Sequence, residues 1–168
     1  MSLSMYQASV PVFQKTLGNL KAILQKAEAH AEAKKIDPAI FLNARLYPDM
    51  FNLIRQVQIA ADMAKACCAR LSGQEVPKYE DGEITFADLY ARIDKTLAYV
   101  SGFKPEQIDG KEEAEIVIMP GGNEMRFKGQ AYLVHWVLPN LYFHAVTTYA
   151  ILRHNGVEVG KMDFLGSF

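Results

Sequence analysis

Four polar side chains stand where a buried site could form. His144 lies between Phe143 and Ala145, inside a run of bulky apolar residues from Leu138 to Arg153 that reads as a helix. Asn140 precedes it by four positions, so the two share a helix face. Asp49 and Gln56 stand seven apart at the start of another helical pattern, which stacks them on one face, two turns from each other. An imidazole in such surroundings can be a buried group held by one or two hydrogen bonds, a metal ligand, or a pocket group of another kind. All three roles are open to His144. Asp49 is expected in the first helical turn, where the helix dipole stabilises a carboxylate; a pocket role is the alternative. Gln56 is either a surface residue or a buried pocket amide. No catalytic residue is assignable from types and spacing.

The other histidines and the cysteines read more simply. His135 is nine residues before His144, about 900° of rotation on a continuous helix, so the two point nearly opposite ways. A kink at Pro139 would relax that exclusion. His154 falls in a last helical turn, as a dipole partner, and His30 lies in a polar run at a helix end. Cys67 and Cys68 are adjacent on a helical pattern, about 100° apart, poorly placed to bridge each other and read as small core residues. The sequence holds no Gly-rich phosphate loop, Cys-x-x-Cys, His-Glu-x-x-His or G-x-S-x-G elbow, and no Glu-x-x-His pair of the di-iron bundles.

Bulk composition narrows the class. The chain has 168 residues, expected to form one domain over 1–168, long enough to bury a core without disulfides or a structural metal. Half the residues are hydrophobic and the formal net charge is −1, with basic and acidic residues mixed along the chain. A nucleic-acid binder would carry a basic face, and a membrane-surface protein a polybasic run. Neither is expected. Met1 to Met5 lack a basic leader and no run nears the ~18 apolar residues of a membrane span, so the cytoplasm is the expected compartment.

The elements that must position the candidates follow from periodicity. Phe13, Leu17, Leu20, Leu24 and Ala27 mark a first helix opening near Ser9 with Pro11 in its first turn. Asp37-Pro38 starts a short turn to Asn43. A second long helix is expected from Pro48 to about Leu71, with the stripe Met50, Leu53, Val57, Ala60, Ala64, Cys67 and Leu71. Thr85-Phe86-Ala87-Asp88 is a variant capping box for a third, striped by Phe86, Leu89, Ile93, Leu97 and Val100, and Ser101-Gly102 ends it. Residues 114–119 and 123–127 alternate around Pro120-Gly121-Gly122, a β-hairpin. A helical stretch from Ala131 then meets Pro139, which either kinks the last helix or starts its final segment, and Gly156 caps it. The expected fold is all-α, a four-helix bundle with a small hairpin insertion before the last helix.

Phe143-His144, the helix end Ile151-Leu152-Arg153-His154-Asn155-Gly156 and the following Asp163-Phe164-Leu165 resemble the DinB/YfiT-like superfamily. Arg45-Leu46-Tyr47-Pro48-Asp49-Met50 and Gly160-Lys161-Met162-Asp163-Phe164-Leu165-Gly166 are similar to segments of an uncharacterised bacterial branch of it, a domain-of-unknown-function family. The resemblance covers nearly the whole chain. It implies an up-down-down-up bundle, commonly a homodimer. In many members three histidines hold a divalent metal, one on helix two and two four residues apart on the last helix, and some members transfer a thiol to electrophiles. Carried onto this chain, the last-helix pair falls on Asn140 and His144, and helix two offers only Asp49 and Gln56. An Asn and a Gln or Asp can supply oxygen, but three imidazoles are what suit zinc or nickel. The expectation is therefore a bundle without the metal site, binding a small molecule or a protein partner through a pocket of His144, Asn140, Asp49 and Gln56. The alternative is a diverged metal-dependent thiol transferase or hydrolase whose zinc or nickel is held by His144, Asn140 and Gln56.

Overall fold

The computed structural model describes residues 3–167; Met1 and Ser2, where the leader was sought, and Phe168 lie outside it. The long elements are α1 (Val10–Lys34), α3 (Leu53–Leu71), α4 (Phe86–Ser101) and α7 (Leu138–His154), with short helices α2 (Pro38–Leu42), α5 (Pro105–Ile108), α6 (Gly129–Ala131) and α8 (Lys161–Leu165). Strands β1 (Glu115–Ile118) and β2 (Met125–Lys128) form the hairpin. The apolar stripes explain the packing. Phe13, Leu17, Leu20, Leu24 and Ala27 of α1 are fully or almost fully buried, as are Val57, Ala60, Ala64 and Cys67 of α3, Leu89 and Ile93 of α4, and Leu141, Ala145 and Leu152 of α7. Alanines in the α3 seam leave room for a neighbouring helix, and Cys67 and Cys68 are buried free thiols in that core.

Cross-helix contacts fix the directions. Gln14, Lys21 and Glu28 of α1 meet Ser101, Asp94 and Tyr90 of α4, in descending order, so these helices are antiparallel. Asp62 meets Arg92, and Gln58 meets Glu83 just before α4, so α3 and α4 run the same way. Gln56 faces His144 whereas Arg70, near the other end of α3, bonds Tyr132, so α3 and the last helix are antiparallel. The order is up-down-down-up, as the resemblance implied.

Local chemistry places the ends. Thr85 and Asp88 form the reciprocal cap of α4, Thr85 Oγ1 accepting from Asp88 N and Asp88 Oδ2 from Thr85 N. Asp37 caps α2. The expected start of the second long helix at Pro48 is corrected: α3 begins at Leu53. Arg45 donates to the carbonyls of Pro48 and Met50 and holds residues 45–50 as a turn, and Asn52 is the cap, its side chain accepting from Arg55 N at 3.0 Å. Met50 therefore lies outside the helical stripe.

β1 and β2 pair antiparallel, Glu115 opposite Lys128 and Ile118 opposite Met125. Ile116 and Ile118 are buried and Val117 faces out, so one face of the hairpin rests on the helices, as a two-stranded unit requires. Phe127 packs its ring against Tyr132 and Trp136. Between α6 and α7 the helix continues as a π-helical stretch, Tyr132–Val137. Pro139 then sits in the first turn of α7, and the wider turn ahead of it absorbs the missing backbone bond. Two short helices went unread in the sequence. In α8, the carboxylate of Asp163 accepts from Gly160 N and pairs with Lys26, while Asn19 donates to the Phe164 carbonyl. The recurring end segment thus folds back onto α1.

Candidate functional site

α3 and α7 bring two of the four candidates together. Gln56 lies in the second turn of α3, and His144 near the middle of α7 on the face turned to it. His144 Nδ1 is 2.7 Å from Gln56 Oε1. The Gln56 amide nitrogen donates to the Phe51 carbonyl at 3.0 Å, which sets the amide so that its oxygen faces the histidine. His144 Nδ1 therefore carries the proton and donates, and Nε2 is the lone-pair nitrogen. Nε2 has no hydrogen-bond partner among the described residues and is not sealed from solvent. Gln56 is 1% exposed and His144 8%. Burial, and then the charge of Arg55, lower the His144 pKa to about 4, so the ring is neutral at pH 7.

Asn140 and Asp49 take other positions. Asn140, half-buried one turn before His144, donates its amide to the Trp136 carbonyl of its own helix at 2.7 Å. Asp49 is exposed in the turn before α3. It has no place in a first helical turn and does not share a helix face with Gln56, contrary to the expectation, because the helix starts four residues later. His135 is exposed and His154 ends α7.

The surroundings of the pair are aromatic. Phe51, whose carbonyl holds Gln56, is 55% exposed, and Phe143, whose ring meets the His144 ring edge-on at 5.2 Å, is 56% exposed. Arg55 lies over the Phe51 ring and bonds Gln58 and Asp81. Four clefts of about 210 to 450 Å³ elsewhere on the molecule are lined by other side chains. His144 thus lies beside the exposed rings of Phe51 and Phe143. Among the described residues no group of three or more His, Cys, Asp or Glu is placed to hold a metal ion. Of the candidate ligands, Gln56 is committed at both ends of its amide and the Asn140 amide nitrogen is turned to Trp136, while His144 keeps the Nε2 lone pair, the position a metal-bound imidazole uses when its Nδ1–H is donated elsewhere.

A second polar cluster was missed in the sequence. Arg92, 3% exposed on α4, bonds Asp62 (3.0 Å), Asp81 (3.1 Å) and Glu83 (2.8 Å), and the Glu80 carbonyl. Burial opposes its charge, but the Glu83 hydrogen bond and the three carboxylates outweigh it and hold the pKa above the ordinary arginine value. Lys65 pairs with the same Asp62 and lies 3.9 Å from the centre of the Tyr79 ring. The signal was present as Arg92 beside the α4 stripe, flush with Ile93, and as the acids of the 80–83 connection. It could be read only by knowing that the connection folds over α4.

An all-α bundle in up-down-down-up order, with a hairpin before its last helix and one histidine facing the second long helix, defines a protein of the DinB-like class. The chain belongs to the DUF1993 family, a domain of unknown function, whose family model matches residues 5–165. It is similar to the crystal structure of a DinB family member protein from Shewanella denitrificans: 48% identical, TM-score 0.91, covering 97% of this chain and 92% of that one. Among curated proteins none matches it. Among the described residues no helix is long and apolar enough to cross a membrane.

Proposed function

We propose that this chain is a DinB-like bundle that works without the three-histidine metal centre, as a binding protein whose recognition surface surrounds His144. The observation that carries this reading is the 2.7 Å bond between His144 Nδ1 and Gln56 Oε1. It fixes the ring, leaves Nε2 as a neutral hydrogen-bond acceptor, and commits Gln56, one of the residues the alternative metal site would need, to a bond within the chain. The exposed rings of Phe51 and Phe143 support a partner that presents an apolar surface and a hydrogen-bond donor for Nε2. The exposure of both rings favours a protein partner over a small molecule. Homodimerisation through the outward face of α7, with Tyr142, Phe143 and Val146, is part of the same proposal.

The test is elemental analysis of untagged protein incubated in turn with zinc, nickel and manganese, beside His144→Ala. Far less than one metal per chain, equal in both proteins, is the expected result. About one metal per chain, lost in His144→Ala, would replace this reading with the diverged transferase or hydrolase. Sedimentation of wild type and Phe143→Ser tests the dimer: the variant should run as a monomer.

A further inference from the structure

The 78–83 connection and α4 enclose a cleft of about 450 Å³, the size of a small-metabolite site and far from a single ion's needs. His144 does not line it. Ala91 contributes no bulk, and Tyr79 gives an aromatic wall. Charged side chains of both signs line the rest, so the sign of any ligand depends on which of them are uncommitted.

Two of the three acids that line the cleft are committed. Glu83 accepts from Arg92 Nη1 through Oε1 and from Gln58 Nε2 through Oε2. Asp88 is taken up by the α4 cap, accepting from Ile84 N, Thr85 N and Thr85 Oγ1. The donors are not. Lys95 has its ammonium 4.1 Å from the centre of the Tyr79 ring and makes no ion pair among the described residues. Lys78 and the third acid, Glu80, face each other loosely at 3.5 Å, both almost fully exposed, so they leave one charge of each sign at the rim. Arg92, which also lines the cleft, is buried, and its Nε–H has no acceptor among the described residues. With Lys78 and Glu80 offsetting each other, the charge left over in this cleft is the Lys95 ammonium, a cationic donor beside an aromatic face.

We propose that the cleft binds a small organic oxyanion, a carboxylate or phosphate ester, with its anionic group at Lys95 and Lys78 and its apolar part along Tyr79 and Ala91. Arg92 and its carboxylates act as the fixed floor that holds Tyr79 and the connection in place. The interaction of Lys95 with the Tyr79 ring keeps its ammonium at the cleft without neutralising it.

The full chain is titrated with inorganic phosphate and, separately, with acetate at constant ionic strength, and the backbone amides of Gly82 and Ala91 are followed by NMR. Saturable shifts with at least one anion are expected. In Lys95→Gln the apparent affinity should fall roughly tenfold, the loss of one charge-assisted hydrogen bond. Lys95→Arg should keep it, and His144→Ala should leave the titration unchanged. Saturation by phosphate alone assigns the phosphate-ester class; saturation by acetate assigns carboxylates. No saturable shift with either anion, or equal affinities in wild type and Lys95→Gln, would overturn the proposal. Lys95 is exposed, so its variants should melt as wild type does, and Lys78→Gln gives an independent loss of binding.

Discussion

Gln56 Oε1 and His144 Nδ1 meet at 2.7 Å although 88 positions separate them in the chain. That contact closes a relay from the Phe51 carbonyl through the Gln56 amide to the imidazole. Gln56→Ala removes the acceptor and leaves a nearly buried Nδ1–H unpaired. It should cost about 1–3 kcal/mol in urea unfolding. The double variant Gln56→Leu, His144→Phe should cost less than the sum of its single changes, since neither apolar partner then leaves a polar group stranded.

The pH dependence has a definite sign. His144 titrates at about 4 in the folded chain and near the ordinary 6.5 when unfolded. The unfolded state then binds the proton first, so the contribution of this residue to stability is full above pH 6.5 and is lost as pH falls toward 4. The loss should be on the order of 2 kcal/mol, moderated by the ring's contact with solvent. Urea midpoints at pH 7 and pH 4.5 measure it, and in His144→Gln the decline over that interval should be shallower. An imidazole that titrates near 6.5 by NMR in the folded protein would contradict it.

Two ion-pair sites should respond very differently. Arg92→Met strips the cation from Asp62, Asp81 and Glu83 beneath the 78–83 connection and should destabilise by about 3–5 kcal/mol. Lys21→Met breaks an exposed pair with Asp94 and should cost less than about 1 kcal/mol. Thermal melts of both variants at low and moderate salt decide the contrast, with only the second cost shrinking as salt is added.

Gly129 opens the last helix where the hairpin ends. A Cβ there would lie 1.9 Å from the Lys111 carbonyl oxygen, so backbone has to move. Gly129→Ala should therefore destabilise by about 1–3 kcal/mol, against the gain that alanine ordinarily brings to a helix. A melting temperature raised by the substitution would show that the hairpin is free to shift.

The sequence by itself determined the helices that carry an unbroken apolar stripe, because burying such a stripe leaves a bundle as the outcome. It also determined the α4 cap, where Thr85 and Asp88 satisfy each other's backbone within a single turn. The hairpin was readable from alternation around Pro120-Gly121-Gly122. The start of α3 was not, because Pro48-Asp49 and Asn52 are both plausible helix openings; the bonds from Arg45 to Pro48 and Met50 chose between them. The candidate site was half visible. A histidine on the inward side of α7 marks itself, but its partner depends on which residue of an antiparallel helix comes level with it. Asn140 shares a helix with His144 yet bonds the Trp136 carbonyl one turn back, as Asn43 and Asn155 do with Ala39 and Ile151. The Arg92 cluster was invisible for the same reason. Its acids lie on α3 and on a connection whose path over α4 is fixed by long-range packing, and only tertiary structure decides which distant charges a buried arginine will meet.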